Sequence, residues 1–293
     1  PVFYIIDDAK KWNNISELKK ASPNLNVSVT EKYIKEEITI AKSSLSKRAE
    51  FLMKYCNLKQ NNCTAWLSYQ DIEKICGGRY ELADFKNCYC VGGIDLSQTT
   101  DLTACSIIIE KNEKLFIFCK FFMPRNRIQT MQSTEGVPYE IFVKRGIIVE
   151  SGENFVNYKD CYDWFVELVE KYKIYPLKIG YDRYSSQYLV NDLQNRGFQM
   201  DDVYQGENLS PVIKEFEGIL KDKNLQIGEN DLLKSHFLNV ALKENLETRK
   251  NKPVKINQRS HIDGFVSVID ALTVRQKWYS EIGIKLKNEV TTN

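Results

Sequence analysis

The spacing of apolar positions changes along the chain, and each change marks an element. Residues 2–6 read as a strand-like stub, followed by a polar loop around Ser22-Pro23-Asn24. Tyr33, Ile34, Glu37, Ile38 and Ala41 recur at helical spacing, which predicts a helix over 31–41 with Thr30 as its N-cap. A second helix is expected over 46–55, and Trp66-Leu67 open a short helical stretch that stops at Gly77-Gly78. From Cys88 the pattern turns β-rich, with runs at 91–96, 103–109 and 114–122 joined by short polar turns that suit antiparallel hairpins. Helices follow over 160–172, 185–195 (closed by Gly197), 211–220, 231–246 and 262–278. Between them lie strand-like pieces at 177–181, 203–204, 225–227 and 253–256. A three-strand meander followed by β-α-β units predicts an α/β fold, a mixed sheet with helices on its faces. The expected division is a mainly helical segment over 1–85 and a sheet domain over 86–293.

Composition narrows the class. Of the 293 residues 43% are apolar and 12% aromatic, enough for a packed core and too many for a disordered chain. No run approaches 18 apolar residues, so no membrane span is expected, and no signal peptide is visible. A start at Pro rather than Met is expected of a piece of a longer chain. Lys and Arg total 41 against 39 Asp and Glu, which argues against binding nucleic acid by bulk positive charge and leaves room for a local patch. The eight cysteines are not expected to form a disulfide framework: Cys105 and Cys119 sit inside apolar runs, and a reducing cytoplasm is the expected setting. With no C-x-x-C pair and only His236 and His261, the spacing of Cys76, Cys88 and Cys90 does not suggest zinc.

Phosphate-loop and nucleophile-elbow motifs are both absent, and two histidines leave few candidates for His-based catalysis. Carboxylates at element ends remain. Asp95 ends the first β-rich run, Asp182 ends Leu177-Lys-Ile-Gly-Tyr-Asp, and Asp263 opens the last helix. If the runs ending at Asp95 and Asp182 are parallel neighbours, their acids come side by side, and a helix packed there adds Asp263. Such acids repel unless divalent cations relieve them, and two Mg²⁺ or Mn²⁺ ions about 4 Å apart suit phosphodiester cleavage. Each acid also has a plainer reading: an Asx-turn near Ser97 for Asp95, a helix cap near Ser185 for Asp182, and a capping box with Ser260 for Asp263. Asp270 shares the helical face of Asp263 and can be a fourth metal-facing acid, but is expected rather to pair with a base or face solvent; Asp101 is a weak candidate on a turn. Lys243, Arg249, Lys250, Lys252, Lys255 and Arg259 precede Asp263 and can hold a phosphate backbone or form a solvated loop, with Arg125, Arg127 and Arg145 as an extension.

Val91-Gly-Gly-Ile-Asp95-Leu-Ser with Asp101-Leu-Thr-Ala, then Ile179-Gly-Tyr-Asp182, then His261-Ile-Asp263-Gly-Phe-Val resemble, in that order, the motifs of the nuclease domain of large terminase subunits from tailed phages and prophages. Ala21-Ser-Pro-Asn-Leu-Asn-Val-Ser-Val29 and the helices after it resemble the segment joining the packaging ATPase to that nuclease. The resemblance implies an RNase H-like fold and a DNA endonuclease that cuts concatemeric phage DNA during packaging. It also implies two divalent cations, Mg²⁺ or Mn²⁺, held by Asp95, Asp182 and Asp263. The implied partners are double-stranded DNA, a small terminase subunit, the portal protein and the ATPase domain of the same full-length chain, in the cytoplasm of the bacterial host. Two alternatives stay open: another RNase H-like enzyme, such as a transposase or resolvase, and a non-catalytic module that docks on the portal or small subunit.

Overall fold

The computed structural model describes residues 4–43, 45–58, 66–96, 102–182, 187–245, 247–257 and 259–290. Three helices come first, α1 (Ile15–Ala21), α2 (Glu31–Ser43) and α3 (Leu45–Cys56), and then the short α4 (Tyr69–Glu73). The meander is β1 (Tyr89–Asp95), β2 (Thr103–Lys111) and β3 (Lys114–Met123). After it come α5 (Arg125–Glu135), α6 (Tyr139–Lys144), β4 (Ile148–Glu150), α7 (Tyr158–Glu170), β5 (Tyr175–Asp182) and α8 (Gln187–Arg196). The chain closes with β6 (Met200–Val203), α9 (Ser210–Lys221), β7 (Leu225–Gln226), α10 (Asp231–Leu238), β8 (Val240–Glu244), β9 (Asn251–Lys255) and α11 (Asp263–Leu286).

Seven strands make one mixed sheet in the order β4-β3-β2-β1-β5-β6, with β7 paired to β3. The meander is antiparallel, whereas β5 lies parallel to β1 and β6 parallel to β5. Alternation along β1 divides the core between the two faces. Cys90 and Ile94 point to the face covered by α7 and α8, among Phe165, Leu168, Leu189 and Leu193. Val91 points to the opposite face, where Phe265, Val268, Ile269 and Leu272 of α11 pack. Trp66, Leu67, Ile72 and Ile75 join that second core, while Leu18, Ile34, Ile38, Phe51 and Leu52 form a separate one among the first three helices.

Several expectations shift. Residues 4–6 carry no strand. Trp66 and Leu67 precede α4 instead of opening it, and Ser68 caps that helix through the Asp71 N–H at 3.1 Å. The helix expected over 231–246 ends at Leu238, because residues 240–244 pair antiparallel with 251–255 as β8 and β9. The last helix runs on to Leu286.

Candidate active site

Asp95 and Asp182 are the last residues of β1 and β5. Ile94 pairs with Tyr181 in parallel register, so the two acids follow side by side, one step further along neighbouring strands. Two residues back, and therefore on the same sheet face, Gly93 and Gly180 form the seat of α11. A Cβ on Gly93 would lie 1.9 Å from the Ser267 carbonyl oxygen, and one on Gly180 would lie 2.5 Å from that of Asp270. Only glycine lets the helix backbone rest directly on the sheet here. The consequence is geometric: the face of α11 bearing Asp263 and Asp270 meets the strand face bearing Asp95 and Asp182.

Asp263 is the first residue of α11 and is 7% exposed. The N-cap is Ile262 and makes no side-chain capping bond, so Ser260 and Asp263 do not form the capping box that their spacing suggests. Instead Asp263 Oδ2 lies 3.6 Å from His261 Nδ1 and 3.9 Å from His236 Nδ1. His236 Nδ1 accepts the Gly264 N–H at 2.9 Å, so that nitrogen carries no proton, and burial lowers the His236 pKa to about 4. His261 is the opposite case. Burial works against its charge, but attraction to Asp263 and to Glu135, whose Oε1 is 3.1 Å from Nε2, raises its pKa to about 9. Burial likewise opposes the charge of Asp263, and His261, with His236 and Lys255 behind it, holds the carboxyl below its ordinary value.

Asp270 neither faces solvent nor pairs with a base, contrary to expectation. It is 0% exposed, and its Oδ1 accepts a 2.6 Å hydrogen bond from Gln205 Nε2. Burial, then the charges of Asp95 and Asp182, push its carboxyl well above the ordinary range, against the effect of Gln205. Oδ2 of Asp263 and Oδ2 of Asp270 are both buried with no hydrogen-bond partner. Among the described residues no three His, Cys, Asp or Glu side chains already stand at metal-binding spacing. Even so, aspartate oxygens at two strand ends and along one helix face, with the buried Oδ2 of Asp270 unpaired among them, fit a hard divalent cation.

The basic residues sit mainly on the β8–β9 hairpin. Lys243 is paired directly across from Lys252, a like-charge pair that costs stability unless an anion lies nearby. Arg249 projects from the tip with a side chain 73% exposed, and Lys255 acts on Asp263 and His236. Arg259 lines a cavity of about 290 Å³ together with Glu135, His236 and His261. Arg145 turns instead to Asp231 at 2.6 Å, and Arg125 lies 3.7 Å from Glu150 and Glu153. Asp101, Ser97 and Ser185 lie outside the described residues.

The family profile described as terminase large subunit, endonuclease domain, matches residues 2–277. The chain belongs to this family. It is 21% identical to Protein YmfN of Escherichia coli (strain K12) over 92% of its length and 62% of that protein. Identity to the terminase large subunit of Enterobacteria phage HK97 is 23%, over 60% of this chain and 35% of that one. The crystal structure of the HK97 bacteriophage large terminase superposes with a TM-score of 0.63 at 18% identity, covering 92% of this chain and 56% of the other. The fold is thus the RNase H-like one of terminase nucleases, and the chain spans at most about three fifths of these relatives. No helix of the described residues is long and apolar enough to cross a membrane.

The two histidines, Glu135 and Gln205 escaped the sequence reading. His261 had one signal, its place two residues before Asp263 in the same motif. Glu135, Gln205 and His236 reach the site from other elements, and no local pattern marks them.

Proposed function

We propose that this chain is a divalent-cation-dependent DNA endonuclease that cuts concatemeric phage DNA during genome packaging. Asp95, Asp182 and Asp263 would be the ligands of two Mg²⁺ or Mn²⁺ ions. The observation that carries the reading is the parallel β1–β5 register, which sets Asp95 beside Asp182 under α11 in a chain of the terminase endonuclease family. Bound ions of this kind supply an acidified water and neutralise the charge that develops on the leaving oxygen. The chain itself supplies aspartate oxygens held on rigid strand and helix ends. His261, fixed by Glu135, keeps Asp263 ionised and oriented. Arg249, Lys250, Lys252, Lys255 and Arg259 would hold the phosphate backbone of double-stranded DNA across the hairpin.

On this reading residues 1–85 are the end of the connection from the ATPase domain of a longer chain, and 86–293 are the nuclease. The remaining partners would be a small terminase subunit and the portal, in the cytoplasm of the bacterial host. Incubating the chain with supercoiled plasmid and Mn²⁺ or Mg²⁺ tests the proposal. Nicking and linearisation are expected, and both should vanish with EDTA and in Asp182→Ala. Cutting that survives EDTA, or that Asp182→Ala retains in full, would overturn it.

A further inference from the structure

We propose that Asp270 is a fourth carboxylate ligand of the divalent-cation site, on its β5 side, with Gln205 as its positioning residue. The inference rests on the metal-nuclease reading above and adds a residue to it. Asp270 lies two turns after Asp263 on one face of α11, about 10 Å further along the axis. That is too far for both to grip one small cation, whose oxygen ligands sit at about 2.1 Å. The two acids therefore serve different ends of the site. At the Asp270 end the helix backbone touches Gly180, two residues before Asp182, with no side chain between. The charges of Asp95 and Asp182 both act on Asp270.

A purely structural role explains this residue poorly. The Gln205 amide needs only an acceptor at Oδ1, and asparagine would provide one without adding a third carboxyl to Asp95 and Asp182. An acid here leaves Oδ2 fully buried and without a hydrogen-bond partner. A cation is the group that turns both features, the crowded charge and the orphaned oxygen, into favourable ones.

The test is Mn²⁺ binding by calorimetry, with thermal unfolding in EDTA and in Mn²⁺, on the wild-type chain, Asp270→Asn and Gln205→Leu. Asp270→Asn should lose at least about tenfold in Mn²⁺ affinity, and Gln205→Leu about tenfold through loss of orientation. In EDTA, Asp270→Asn should unfold no earlier than wild type, which separates lost binding from lost fold. Wild-type affinity and stoichiometry in both variants would overturn the inference and leave the metal-nuclease reading standing. A wild-type chain that binds no Mn²⁺ would overturn both.

Discussion

Asp263 and Asp270 share one face of one helix, yet their surroundings differ in sign. Asp263 faces His261, a histidine kept cationic by its contacts with Asp263 and Glu135. Asp270 faces two further aspartates and a neutral amide. The first end is compensated by the protein itself and holds an ionised carboxylate in place. At the second no cationic side chain acts on Asp270, and a proton or a cation there would offset its charge. A row of acids therefore need not behave as one unit. In this helix one end is prepared before any ion arrives, and the other gains most when one does.

The severest way to disturb both ends is to lift α11 from the sheet. Gly93→Ala would drive a methyl into the Ser267 carbonyl, which a packed helix cannot avoid by turning a side chain. A loss of about 3 kcal/mol or more is expected, at the upper end for an overpacked core. Urea denaturation of the variant measures it. An unchanged midpoint would show that the helix does not rest on the sheet as described.

A milder change separates the two ends by pH. His261 has its pKa raised from 6.5 to about 9, so the stability it contributes is complete below 6.5 and is lost as pH rises through 9. His236 runs the other way: with its pKa lowered to about 4, its contribution is present above 6.5 and falls as the solution is acidified toward 4. In EDTA the combined contribution of the two histidines should therefore peak near pH 6.5 and drop by on the order of 2 kcal/mol toward pH 9. His261→Gln should remove most of the alkaline drop and leave the acid limb. Identical alkaline limbs in the two proteins would refute the charge compensation assigned to the Asp263 end.

The two ends also differ in how much of them could be read from the chain. The meander was legible because its apolar runs are long and its turns short, and its boundaries fall within a few residues of those expected. Asp95 followed from it and Asp182 from the separate apolar run of β5, since a strand end is a local feature and the parallel pairing brings such ends together. The α10–β8 boundary was not legible, because Val240 and Ala241 continue an apolar pattern that only pairing with β9 turns into a strand. Helix α5 gave little signal, as only Ile128 and Met131 of its eleven residues are buried. Glu135 at its end was hidden for the same reason. The compensation of Asp263 and the burial of Asp270 arise from contacts between elements far apart in sequence, which periodicity does not encode.

The smallest expected effects concern how an anionic backbone would approach, and they sharpen the contrast from outside. Lys255 acts on Asp263 and His236 and Arg259 lines the cavity beside His261, whereas Lys250 and Lys252 act on Glu207, two residues after Gln205, so the positive charge of the hairpin spans both ends. Replacing Arg249 or Lys250 at the tip by Gln should weaken duplex binding almost equally for all sequences. Each replacement should also reduce the slope of log affinity against log salt by about 1. Fluorescence anisotropy of labelled duplex DNA across a salt series, in Ca²⁺ to suppress cutting, reads both quantities. A salt slope that does not move would take the hairpin out of the DNA path.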